Sequence, residues 1–141
     1  MDSDGVIRAP AGDGRVAAVA RDDVADVAVS VLLGEDHSGV TYDVSGSGSL
    51  SMRQVAEAFS RAAGRSIAYH AEAIDETYGA RAHYGAPGWE VDGWVTSLVG
   101  VANGEMDVVS DAVLAHTRHA PMTLSAFQRH YPESYRHLLP T

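Results

Sequence analysis

Arg15-Val-Ala-Ala-Val-Ala20, running directly into Arg21-Asp-Asp-Val-Ala-Asp-Val-Ala-Val-Ser-Val-Leu-Leu33, is the stretch that decides the fold. Its first six residues are short, apolar and bounded by Gly14 and acid, the pattern of a buried strand. Asp22 or Asp23 then predicts a helix start, with carboxylates near the positive end of the helix dipole. Val24, Val27, Ala28, Val31 and Leu32 recur at i, i+3, i+4, i+7 and i+8, so one core-facing stripe is expected. Gly34 predicts its end.

Upstream, Asp4–Arg15 is punctuated by Pro10, Gly12 and Gly14 and reads as turns. Downstream, Val40-Thr-Tyr-Asp-Val-Ser45 is β-branched and alternating, the expectation for a second strand. After the loop Gly46-Ser-Gly-Ser-Leu50, Ser51-Met-Arg-Gln54 has the spacing of a capping box. The helix it opens carries Val55, Ala58, Phe59 and Ala62 inward and ends at Gly64. Ser66–Ala71 predicts a short third strand. Helices are expected over Ile74–Tyr84, Trp89–Gly104, Ser110–His116 and Thr123–Tyr131, with Pro132 and Pro140 framing a loose tail. The order is α/β in its first half. One domain over 1–141 is expected, with a β-α-β-α-β segment at 1–71 and a mainly helical lobe at 72–141.

Composition narrows the chemistry. The 141 residues are 45% hydrophobic and 21% charged, an ordinary globular balance. Cysteine is absent, which excludes disulfides, thiolate nucleophiles and Cys-based zinc sites. All ten basic residues are arginine, so no Tyr-x-x-x-Lys pair or phosphate-loop lysine exists in these residues. A net charge of −9 with scattered arginines argues against nucleic acid as a partner. No apolar run approaches the ~20 residues of a membrane span. The acidic start Met1-Asp-Ser-Asp4 does not resemble a secretory signal, and a soluble cytoplasmic protein is expected.

Several sequences invite a site. Gly46-Ser-Gly48-Ser-Leu-Ser51 sits where a dinucleotide fingerprint would, but Ser51 replaces the third glycine and no ribose-binding acid follows at the right distance. A turn feeding a capping box is the better reading. Seven histidines suggest a metal, yet His116 and His119 lack a nearby third ligand, and His70, His83, His130 and His137 read as rim or surface residues. No metal site is expected. No Gly-x-Ser-x-Gly elbow is present, and Asp22-Asp23 is explained by its helix start. Tyr78, His83, Tyr84, Trp89 and Trp94 gather around the break at 85–88. The plain reading is two helices packed at a turn; the functional one, which does not exclude it, is the wall of an apolar substrate pocket.

The run Gly12-Asp-Gly-Arg-Val-Ala-Ala-Val-Ala-Arg-Asp-Asp-Val-Ala25 resembles the segment that follows the cofactor domain in NmrA-like atypical short-chain dehydrogenases, the quinone-oxidoreductase-like branch above all. Val40–Gly46, Leu50–Ala56, Gly64–Tyr69 and Pro121-Met-Thr-Leu-Ser-Ala-Phe127 resemble that family's later segments in the same order. The resemblance implies the C-terminal, substrate-side portion of a Rossmann-like fold, about three short strands with five or so helices. The family's glycine-rich NAD(P) turn has no counterpart in these residues. No cofactor is therefore expected for this chain alone, although NAD(P)H serves the family.

Three functions follow as expectations. The first is the substrate lobe of an NAD(P)H-dependent oxidoreductase with a quinone- or carbonyl-type substrate, inactive alone. The substrate-side candidates are Arg8, Arg15, Tyr78, His83, Tyr84, Trp89 and Trp94, with no catalytic residue transferable. The second is a non-enzymatic module binding a small apolar ligand or a partner. The third is an acid–base lyase or isomerase using His70, His83 or a carboxylate. Unpaired strand edges predict a homodimer, or a separately encoded N-terminal half.

Overall fold

Ser51 shows most directly how this sequence makes its elements. Its side chain accepts from the Gln54 amide at 3.3 Å while the Gln54 side chain accepts from the Ser51 amide at 3.0 Å, opening helix α2 over Met52–Ala63. Gly64 closes that helix in the left-handed conformation at φ 67°. The structure, a computed structural model, describes residues 4–139, so the acidic start at Met1–Ser3 and the tail residue Pro140 lie outside the described residues.

The described residues fold as α/β, with four short strands, six α-helices and two 3-10 segments among them. Strand β1 (Val6–Ala9) falls inside the stretch expected to be turns. It pairs in parallel with β4 (Ala68–Ala71), from Val6 opposite Ala68 to Ala9 opposite Ala71. Its partner lies far along the chain, and the flanking glycines and proline hide the strand signal. Strand β2 is only Arg15–Val16, pairing antiparallel with β3 (Leu50–Ser51). Beyond Val16 the expected strand is held by single bonds instead of a ladder: Ala17 N–H to the Met106 carbonyl at 2.9 Å and Gly46 N–H to the Ala17 carbonyl at 3.1 Å.

The strand expected at Val40–Ser45 is absent. Its residues have strand propensity, but no described strand offers a ladder. Instead Ser110 ties the segment down, donating its amide to Ser45 Oγ at 2.7 Å and its hydroxyl to the Asp43 carbonyl. Gly46 comes so close to the neighbouring segment that a Cβ there would lie 2.0 Å from the Ala18 carbonyl oxygen.

Helix α1 (Arg21–Leu33) forms where expected, but its details differ. Ala20 is the N-cap and no side chain caps it; Asp22 and Asp23 lie within the first turn. Of the predicted stripe only Val27 is buried, while Val24 and Leu32 are exposed. The helix packs on α5 (Ala112–Thr117) through one narrow face.

The predicted helix at Ile74–Tyr84 divides into α3 (Ile74–Arg81) and a 3-10 turn (Ala82–Tyr84). Helix α4 (Gly88–Ala102) buries Val95 and Val101, and α6 (Leu124–His130) is capped by Thr123. Arg118, left-handed at φ 65°, ends α5 and separates His116 from His119. The expected loose tail is ordered: Pro132–Leu138 forms a second 3-10 segment and Leu138 is fully buried. It joins Ala56, Ala63 and Ile67 in one core cluster, with Ile7, Phe59 and Tyr135 packed against it.

Candidate functional site

A concavity lies where β2, β3 and α2 face α6. Across the β2–β3 ladder, Val16 stands opposite Leu50 and both line it. Arg15, one residue earlier, reaches Ser49 through its carbonyl at 2.5 Å and its hydroxyl at 3.2 Å, fixing the loop before β3. Helix α2 adds Met52 and Val55. Helix α6 adds Leu124 and Phe127 at i and i+3, with Tyr131 just beyond its end. The result is an open groove of about 830 Å³, within the size range of small-molecule sites. Its walls are mainly apolar. Arg21, Asp22, Thr123, Glu133 and Ser134 supply polar groups.

Three carboxylates of α1 hold the far wall. Tyr131 donates its hydroxyl to Asp22, and that bond holds the Tyr131 phenol above its usual titration range. Asp23, buried at 3% exposure, accepts the Met122 amide at 2.7 Å. Asp26 meets His119 Nε2 at 3.2 Å. The His119 imidazole is pushed above its usual pKa, first by its hydrogen bond with the Ala120 carbonyl and then by Asp26 and Asp23, against a smaller opposing effect of burial.

The lip of the groove includes Ser47 and Gly48 from the glycine-serine loop. That loop does not suit a dinucleotide phosphate. Gly46 is committed to the close approach on Ala18, and the amides of Ser51 and Gln54 are taken by the capping pair.

None of the seven substrate-side candidates read from sequence lines the groove. Arg8 lies on β1 and pairs with Asp4 at 2.7 Å. Arg15 stands behind the groove at Ser49. The aromatic residues do gather, but on the outside of the α3–α4 hairpin. Tyr78 donates to Asp92 at 2.9 Å, which raises the Tyr78 phenol. His83 bonds the Ala80 carbonyl at 2.7 Å through Nδ1 and stacks on Tyr84 at 3.9 Å. Tyr84 meets Trp94 edge-on at 6.0 Å, and Trp89 is 75% exposed. Among the described residues, no three His, Asp or Glu side chains are placed to hold a metal ion. Nor is any described helix long and apolar enough to cross a membrane.

Asp22, Met122 and Tyr131 were not singled out in sequence as site residues. The one signal for them was the shared face of Leu124, Phe127 and Tyr131.

No family model matches the chain. In sequence it is 41% identical over 73 residues to the (4-alkanoyl-5-oxo-2,5-dihydrofuran-3-yl)methyl phosphate reductase of Streptomyces griseus, a match covering 52% of this chain and 26% of that protein. It is 37% identical over 78 residues to the NAD(P)H azoreductase of Xenophilus azovorans, covering 55% and 27%. In structure it superposes on an NADPH-dependent quinone oxidoreductase from Escherichia coli with a TM-score of 0.84 and 26% identity, covering 90% of this chain and 46% of that one. The chain thus spans less than half the length of these relatives.

Fold and likeness together define the class: a Rossmann-like fragment akin to NAD(P)-dependent oxidoreductases. Within that class, the likeness is to NmrA-like, quinone-oxidoreductase-like enzymes, as its sequence motifs implied, over less than half of their length.

Proposed function

We propose that this chain is the substrate-side part of an NAD(P)H-dependent reductase for a quinone- or carbonyl-type compound, with the groove between α2 and α6 as its substrate surface. The observation that carries this reading is the groove itself. Val16, Leu50, Met52, Val55, Leu124 and Phe127 present apolar walls to a flat ring system, while the lining residues Arg21 and Ser134 carry donors for a carbonyl oxygen at its edge. These side chains bind and orient the substrate and exclude water from one of its faces. The nicotinamide is held by a glycine-rich unit, on this or another polypeptide, since the loop at 46–51 lacks the third glycine of a dinucleotide turn. That unit also covers the apolar surface left open here. The chain is inactive without it. His70 and His83 both lie outside the groove, so of the bases named for an acid–base lyase only carboxylates, Asp22 and Glu133, line it.

The test uses the methionine methyls as reporters. Met52 and Met122 line the groove and Met106 does not. Adding 2-methyl-1,4-naphthoquinone to the purified chain is expected to shift the Met52 and Met122 methyl resonances and leave Met106 in place. Equal shifts at all three, or none, would overturn the assignment of the groove. NADPH alone should move none of them and show no change in nicotinamide fluorescence.

A further inference from the structure

The α3–α4 hairpin carries an exposed aromatic surface. Tyr84 and Trp89 are 60% and 75% exposed, and Trp94 stands beside Tyr84. Clustered exposed aromatic rings are a feature of interaction surfaces. The hairpin is also strongly acidic. Residues 72–104 hold five acidic residues against one arginine, a net −4 with histidine neutral. That arginine, Arg81, is turned inward to Glu72. Acid beside exposed indole and phenol rings is the recognition chemistry of guanidinium groups, which stack on aromatic faces and pair with carboxylates.

One region of this same chain supplies that complement. Helix α2, helix α6 and the final 3-10 segment pack on one another. Residues 52–66 and 124–139 hold five arginines against two glutamates, a net +3, while the rest of the chain is acidic throughout. Arg61, Arg129 and Arg136 stand at the ends of these three elements and are exposed. The hairpin cannot pair with its own copy, because that would place −4 against −4.

We propose that the aromatic hairpin of one copy docks on the arginine face of a second copy, head to tail. Such a contact uses two different surfaces, so it propagates into a ring or a chain instead of closing a two-fold dimer. The inference does not depend on the reductase reading.

Analytical ultracentrifugation of the full chain tests it. Both tryptophans of the chain lie on the hairpin, so intrinsic fluorescence reports that surface alone. The average mass is expected to rise with concentration above 14.9 kDa, with a blue shift of tryptophan emission. Raising salt from about 20 mM to about 0.5 M, where screening reaches a few Å, should reverse both. Trp89→Ala on one variant, and Arg129→Ala with Arg136→Ala on another, should each weaken association at least tenfold while the far-ultraviolet spectrum is unchanged. Mixed together, the two variants retain one intact hairpin and one intact arginine face, and should form a 1:1 dimer that grows no further. A monomer at every concentration would overturn the proposal. So would association indifferent to both variants, or a mixture that fails to pair.

Discussion

Asp23 does a different job from the one its position suggests. A carboxylate at a helix start reads as a cap, and the sequence supports nothing more. In the fold it is buried and accepts the amide of Met122, 99 residues away. Replacing it with alanine leaves that amide without a partner in a dry place, a loss of about 1–3 kcal/mol. Asp23→Asn keeps an acceptor and should lose less, and urea midpoints will separate the two. Next to it, His119 provides a pH dependence. Its folded pKa is raised above 6.5, so the folded state favours the protonated ring. That contribution is complete below about pH 6.5 and fades as pH rises through the folded value. The melting temperature should therefore fall across that window in the wild type, and His119→Gln should flatten this part of the curve. Asp22 and Asp26 hold Tyr131 and His119 in the same way. The residue types were legible in sequence; their partners, set by tertiary packing, were not.

At the scale of elements, legibility followed how local the stabilising groups are. Helix α2 was readable because Ser51 and Gln54, both halves of its cap, lie within one turn. Ser51→Ala should cost about 1 kcal/mol, seen as a lowered melting temperature, because it removes one arm of a reciprocal pair. Strands were harder, because a ladder is made by the partner and not by the segment. Val40–Ser45 has the composition of a strand and no ladder; β1 has a poor local signal and a full one. The groove was illegible for the same reason, since its walls come from residues 16–22, 47–55 and 122–134. The aromatic cluster, close in sequence, was visible at once, but whether it faced a cavity or water was not.

The whole molecule is short of large buried side chains. Alanine supplies much of its core, and the largest fully buried side chains are Leu138, Val95, Val113 and Thr77. The chain exposes 8739 Å², against roughly 7,000 Å² for a folded monomer of its mass. Much of the excess is apolar, with Leu32 and Leu33 more than 80% exposed. Stability therefore rests on few contacts, and losing one large core residue has a wide effect. Leu138→Ala is expected to cost about 2–5 kcal/mol, enough to leave a substantial unfolded fraction in a denaturation curve at 25 °C.

The same leucine has a bearing on biosynthesis. Ile7, Ile67 and Leu138 meet in one cluster, so its native contacts remain incomplete until the ribosome has made nearly everything described here. At bacterial-scale elongation rates, the time between Ile67 and Leu138 is on the order of 10 s. Throughout that interval β1 and β4 can pair and α2 can pack on them, but the place that Leu138 fills in their cluster stays open. Folding is thus tied to translation, and a nascent-chain chaperone has its longest opening during this wait.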